Sequence, residues 1–388
     1  MKLTLTQEQT LVEASVRNFL AAEYDFARRQ RSLEAPHACE PGIWRQFAQM
    51  GWLGLTVPDN AHGTGAGALE AGLVMRAFGR HLVVEPYAAS ALLATPLLAL
   101  HGRPEQCKAW LPELIDGRRR AALGHEETAA PLASSPRITS ATRDGDGWRL
   151  SGGKQLVPGA AGADLLLVSL QVDGGHRIFL LPPGTPGVRV TPARTADGAW
   201  AADLTFEDVR LSATDLLGED VDATNILHHA VACHLIALCW EASGAMAALL
   251  DQTVEYLQQR VQFGQPLAKF QVIQHRLAEM AVECEEATAA CELAALRLDV
   301  DASEAMALAS MAKSKVGRAS RYVAQNAVQL HGAMGVTEDL PVASFFRKLT
   351  TFAQQGGSTA AHSRAFGTAL LLDKGRADSR TLGSAEVH

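Results

Sequence analysis

Long apolar runs, paired cysteines, metal motifs and an excess of positive charge are all missing from this 388-residue chain. No apolar run reaches membrane-spanning length, and the opening MKLTLTQEQT has no basic region followed by an apolar one, so neither a spanning helix nor a signal peptide is expected. A formal net charge of −7 lacks the basic footprint that a general nucleic-acid partner requires. The six cysteines, Cys39, Cys107, Cys233, Cys239, Cys284 and Cys291, never form a CxxC, which predicts reduced, mostly buried thiols in a cytoplasm. There is no HExxH, EF-hand or Walker pattern, so no metal is expected.

The sequence divides by texture into a mainly α protein with an inserted β domain. An N-terminal helical part covers 1–119, where Leu11, Ala14, Val16, Phe19 and Leu20, and then Trp44, Phe47, Met50 and Leu53, fall at helical spacing. A β part covers 120–220, with turn signals at Asp144-Gly145-Asp146-Gly147 and Asp173-Gly174-Gly175 between strand-like runs. Long helices return over 221–375, and a polar tail at 376–388 reads as mobile. In the last helical part Asp301 and Glu304 have capping-box spacing, and Gly332 is placed to end the same helix.

Two segments carry chemistry. The first, Arg260-Val261-Gln262-Phe263-Gly264-Gln265-Pro266-Leu267-Ala268-Lys269-Phe270-Gln271, joins a cation, an aromatic face and two amides across a Gly-Pro break. Arg260 can fork two hydrogen bonds onto a pyrophosphate, while Gln262 and Gln271 can donate and accept. On chemistry alone the segment also reads as a helix-helix corner with an exposed arginine. The second segment, Gln325-Asn326-Ala327-Val328-Gln329-Leu330-His331-Gly332-Ala333-Met334-Gly335, puts an amide beside small residues at a helix end, where backbone can approach a ligand closely. An ordinary helix terminus would look the same.

The order RxQFGxPxxxFQ resembles the flavin-contacting segment of the acyl-CoA dehydrogenase family, and the resemblance extends over nearly the whole chain. Gly51-Trp52-Leu53-Gly54-Leu55 is similar to the family's GWLGL-type segment, and the Gln329 block to its AVQxxGGxG helix end. The resemblance implies an N-terminal helical domain, a central β-barrel or sandwich and a C-terminal four-helix bundle. It also implies FAD, an acyl-CoA substrate desaturated between its α and β carbons, and an electron-transfer flavoprotein as acceptor. By matched position it assigns Arg260, Gln262, Phe263, Gln271, Gln329, Gly332 and Ser358 to FAD, gripped across a subunit boundary.

Departures from the family pattern are as informative. The family's usual catalytic glutamate lies nine residues after an arginine; counting from Arg347, that position is Gly356, whose backbone N–H remains as a potential oxyanion donor. The alternative base position on the preceding helix holds His234, and the neighbouring position, where some relatives carry arginine, holds Leu235. A packed or solvated helical histidine is the plainer reading of His234. The TEPxxGSD-like loop becomes His125-Glu126-Glu127-Thr128-Ala129-Ala130, and the segment that meets the flavin ring becomes Leu156-Val157-Pro158, where proline has no N–H to donate. These changes resemble the small partner subunits of heteromeric family members acting on bulky steroid-like or dicarboxylic acyl-CoA. The leading expectation is therefore a degenerate subunit beside a complete paralogue. Two alternatives stand: a self-sufficient homotetramer with His234 as base, and a non-catalytic scaffold of the same fold.

Overall fold

The computed structural model describes residues 4–127, 139–338 and 340–383. The N-terminal helices are α1 (Gln7–Glu23), α2 (Phe26–Glu34), α3 (Pro41–Gln49) and α4 (Ala68–His81). There follow α5 (Tyr87–Ala89), a π-helical stretch Ser90–Ala94, α6 (Thr95–His101) and α7 (Pro104–Ile115). Thr6 and Gln9 close a reciprocal capping box that starts α1. Val16 and Leu20 of the expected apolar stripe are buried, whereas Leu11 points outward, 63% exposed. Phe47, Trp52, Phe78 and Tyr87 form an aromatic core, with the Phe78 and Tyr87 ring centroids 4.9 Å apart.

The inserted domain is a seven-stranded mixed sheet of β1 (Ala121–Gly124), β2 (Ser140–Asp144), β3 (Gly147–Pro158), β4 (Leu165–Val172), β5 (Gly175–Leu181), β6 (Val188–Arg194) and β7 (Trp200–Leu211). Its order is β1-β4-β2-β3-β7-β6, with β5 paired to β4. Both predicted hairpin turns are present. Asp173 and Gly174 have φ of 50° and 81°, the left-handed pair that a two-residue turn needs, and Val172 pairs with Gly175 across it. Asp144 pairs with Gly147 across the other.

The C-terminal part comprises α8 (Thr224–Gln259), a hairpin of β8 (Val261–Gln262) and β9 (Gln265–Pro266), α9 (Gln271–Val300), α10 (Ala305–His331), α11 (Val342–Gln354) and α12 (Thr359–Gly383). Asp301 caps the short turn before α10 by accepting from the Ser303 N–H at 2.8 Å. Glu304 does not complete a capping box; it pairs with Arg297 at 3.1 Å. Gly332, at φ 62°, ends α10 as expected. Helical backbone in α12 continues past residue 376 to Gly383.

One helix corrects the expectation that nothing here is long and apolar enough to cross a membrane. α8 has 36 residues and meets that test by length and composition. Yet 83% of its most apolar window is buried within the fold, so its apolarity is spent on the core. It packs against α4 so closely that a Cβ on Gly79 would overlap the Glu241 carbonyl, and one on Gly244 would overlap the Arg76 carbonyl.

A buried polar junction fixes the three parts against one another. Arg29 of α2 donates to the carbonyl oxygens of Leu82 and Asp197, both at 3.2 Å, and to Ser344 Oγ at 3.4 Å. Lys348 of α11 pairs with Glu241 of α8 at 2.7 Å and approaches Asp197 at 3.8 Å. Asp197 lies in the β6–β7 connection, so the sheet is tied to both helical parts.

Candidate functional site

Four of the seven residues expected to grip a flavin line one groove at the end of α8. Arg260 is the C-cap of that helix, and its N–H still bonds the Tyr256 carbonyl at 2.8 Å. The chain then folds into the β8–β9 hairpin, with Phe263 and Gly264 at φ 53° and 78°. The Leu267 N–H closes the hairpin onto the Arg260 carbonyl at 2.9 Å. Opposite stands the end of α10, anchored by the His331 ring stacked on Tyr256 at 4.4 Å. The groove between them has a volume of about 510 Å³, and Arg260, Gln262, Gln329 and Gly332 share its wall.

The structure adds Arg276 to that wall. It follows Val272 and Ile273 at helical spacing on the same face of α9, a periodicity visible in the sequence but not used there. Neither Arg260 nor Arg276 makes a salt bridge among the described residues. Two guanidiniums without a carboxylate partner among the described residues, Arg276 touching only the Asn326 amide oxygen at 3.5 Å, suit a diphosphate-bearing ligand together with two amides and a glycine at φ 62°. Phe263 lies off the groove wall at the hairpin tip, 88% exposed and edge-on to Phe270 with centroids 6.1 Å apart. Gln271 opens α9 beside the groove with its side chain exposed.

Ser358 belongs elsewhere. It sits in the α11–α12 turn, where its hydroxyl accepts from the Ala361 N–H at 3.3 Å and caps α12. The same turn carries Gly356 and Gly357, both at positive φ. His362 pins it, with Nε2 2.9 Å from the Gly356 carbonyl oxygen and Nδ1 3.1 Å from Ser310 Oγ. Lys313 of α10, fully buried, donates to the Phe352 carbonyl one residue-turn earlier and lies over the Phe352 ring. Burial pushes the Lys313 ammonium down to about 8.

Around Gly356 the space is filled. A Cβ built on Gly356 would overlap Leu235 Cδ2, so a side chain there requires that buried leucine to move. The cavity that Gly356 lines with His125, Glu126, Pro158, His234 and Leu235 has a volume of about 60 Å³. A neighbouring one beyond His234, reaching Glu85 and Lys348, has about 80 Å³. Small-molecule sites usually occupy roughly 300–1,000 Å³. On the sheet side, a Cβ on Gly159 would stand 3.2 Å from Pro86 and 3.3 Å from Ala89, so the end of β3 is pressed against α5. The Thr128-Ala129-Ala130 part of the loop lies outside the described residues; Glu127, just before it, forms a buried ion pair with Lys154 at 2.6 Å.

His234 lines both small cavities. Burial pushes its imidazole down to about 4, against a smaller upward effect of the Ala88 carbonyl, so it is neutral near pH 7. Its Nδ1 is buried without a hydrogen-bond partner. Such a group is free to accept a proton but offers little driving force for taking one.

Comparison with known proteins matches this arrangement part by part. The family models for the acyl-CoA dehydrogenase N-terminal, middle and C-terminal domains match residues 6–118, 126–209 and 229–371. The chain belongs to the acyl-CoA dehydrogenase family. It is similar to an acryloyl-CoA reductase (NADH) of Anaerotignum propionicum, at 27% identity over 89% of this chain and 90% of that protein. Among solved structures it is similar to a variant of the Tcur3481–Tcur3483 steroid ACAD, with 30% identity and a TM-score of 0.85 over 96% of this chain and 100% of that one. It is also similar to the ChsE4–ChsE5 complex from Mycobacterium tuberculosis, with 26% identity and a TM-score of 0.87 over 96% of this chain and 99% of that one. Family members bind FAD, and the Arg260 groove has the donors that the adenosine-diphosphate half of FAD requires.

Proposed function

We propose that this chain is the partner subunit of a heteromeric acyl-CoA dehydrogenase. Its Arg260 groove grips the diphosphate half of an FAD whose ring and substrate are held by a catalytically complete paralogue. The observation that carries this reading is the overlap that any Gly356 side chain would make with Leu235. A site that lacks its carboxylate, and whose space for one is taken up by Leu235, sits in the same chain as an open, doubly cationic groove.

FAD, when bound, supplies the hydride acceptor for the acyl β carbon. The chain's own residues do the holding. Arg260 and Arg276 neutralise the diphosphate, Gln262 and Gln329 satisfy its polar edges, and Gly332 lets backbone approach without a Cβ between. Phe263 extends an apolar face past the groove toward a neighbouring subunit. The bundle exposes further apolar side chains for association, among them Val300 of α9 at 85% and Leu371 of α12 at 73%. The likeness to a steroid ACAD supports a bulky, steroid-like acyl-CoA as the substrate of the pair, and a dicarboxylic acyl group is the second choice. Electrons then pass to an electron-transfer flavoprotein in this reading.

The test is the visible absorption spectrum read together with native mass. The chain purified alone is expected to be colourless, and to acquire stoichiometric flavin only when co-expressed with a paralogue. A flavin-saturated, active homotetramer would overturn the reading. One observation favours a self-sufficient enzyme instead: the unpartnered Nδ1 of His234, on a residue lining both small cavities. In that case His234→Ala abolishes turnover by the chain alone while its flavin content stays unchanged.

A further inference from the structure

A larger cavity lies on a different face of α8. Ile226, His229, Cys233 and Ile236 recur every three or four residues and share one stripe of that helix, whereas His234, Leu235 and Leu238 fall on another. The Ile226 stripe faces Leu97 and Leu100 of α6, the start of α4 and Leu298 at the end of α9, around a volume of about 380 Å³. That is within the usual range of roughly 300–1,000 Å³ for small-molecule sites, which the cavities beside Gly356 are not. Leu93 stands on the walls of both this cavity and the Gly356 cavity, so a single layer of side chain separates them.

The wall is apolar apart from a few groups gathered on it. His229 Nε2 lies 3.5 Å from Cys233 Sγ. Burial pushes that thiol up to about 12, so the sulfur keeps its proton and can donate to Nε2 or accept from it. The other ring nitrogen, Nδ1, is buried without a partner; nor has Thr56 Oγ1 one, on another lining residue. His101 is held below its ordinary range by burial and then by the proximity of His229, so it is neutral at pH 7. No lysine or arginine lines the cavity. Its one carboxylate, Asp299, accepts from the Ala68 and Leu69 N–H groups at 2.8 and 3.3 Å at the start of α4. Nothing on the wall would compensate an anion, and nothing free would compensate a cation.

We propose that this cavity is a second binding site, for an uncharged apolar molecule carrying one carbonyl or hydroxyl oxygen. The apolar body lies against Leu97, Leu100 and Leu298, and the oxygen turns toward His101 and His229. The site does not depend on how the Arg260 groove is used.

Isothermal titration calorimetry of the full chain with 2-nonanone tests it, with nonanoate as the charged counterpart. Saturable binding of the ketone is expected, with nonanoate at least about tenfold weaker. Ala230→Phe fills the cavity from α8 and should weaken the ketone by a similar factor. Should that variant fold poorly, Leu100→Glu alters the rim at a side chain already 56% exposed and should do the same. Absence of saturable binding, equal affinity for nonanoate, or unchanged ketone affinity in the folded variants would each overturn the assignment.

Discussion

Gly356→Glu puts a side chain where backbone and neighbour both oppose it. The residue has φ of 65°, and a non-glycine residue in that left-handed region costs about 1–2 kcal/mol. Its Cβ overlaps Leu235 Cδ2, and overpacking of this kind adds about 1–3 kcal/mol. The single substitution should therefore destabilise the chain by about 2–5 kcal/mol. Leu235→Ala removes the overlap at its own cost of about 2–5 kcal/mol, since Leu235 is only 1% exposed. On that background Gly356→Glu should cost only the backbone strain, leaving a coupling of about 1–3 kcal/mol between the two sites. Urea unfolding of the parent, both single variants and the double variant, followed by far-ultraviolet circular dichroism, measures that coupling directly. If Gly356→Glu costs the same with leucine or alanine at 235, the closed-site argument fails.

Arg260→Ala should weaken flavin retention by the assembled complex by about ten- to a hundredfold, as expected for losing a charge-assisted pair of about 1.5–3 kcal/mol, and a scaffold reading would be favoured by unchanged flavin content. The imidazole of His234 titrates near 4 in the fold and near 6.5 when unfolded, so the unfolded chain takes up the proton first as pH falls. The stability it contributes is complete above pH 6.5 and declines by about 3 kcal/mol as pH drops to 4, and His234→Leu should flatten that part of a stability-versus-pH curve. Lys154→Ala removes a buried cation that pairs with the Glu127 carboxylate and should lower stability in the same unfolding assay, and an unchanged unfolding midpoint would refute a structural role for the pair.

Much of the architecture is legible in the sequence because it is local. The Asp173-Gly174 turn requires two left-handed residues in succession, and few dipeptides supply them. Helix ends at Asp301 and Gly332 announce themselves in the same way, though Glu304 finds Arg297 rather than the cap, since an ion pair with a residue seven positions earlier, at the end of α9, competes for it. The Arg260 segment is readable because its cation and amides are adjacent in the chain. What is not readable is anything that depends on two distant segments meeting. Gly356 shows that the carboxylate is missing, but only the packing of Leu235 shows that its space is gone as well. Lys313 reads as an ordinary lysine among small residues of α10, and its burial against the Phe352 carbonyl appears only once α11 is placed. The membrane-like composition of α8, which the sequence reading passes over, is explained only by packing, since what a helix faces is decided by its neighbours.

The hairpin that carries Phe263 has a consequence for assembly. Its two turn residues are fixed by backbone geometry, and the Arg260–Leu267 hydrogen bond staples its base. The backbone that presents the ring is thus fixed before any neighbour arrives, and docking against it loses little backbone entropy. The same rigidity works against a solitary chain, which has no means of folding that ring away from water. If the proposed companion subunit covers that ring, copies made in excess of it would expose the ring and be the more prone to aggregate, so the pairing carries a demand for balanced synthesis.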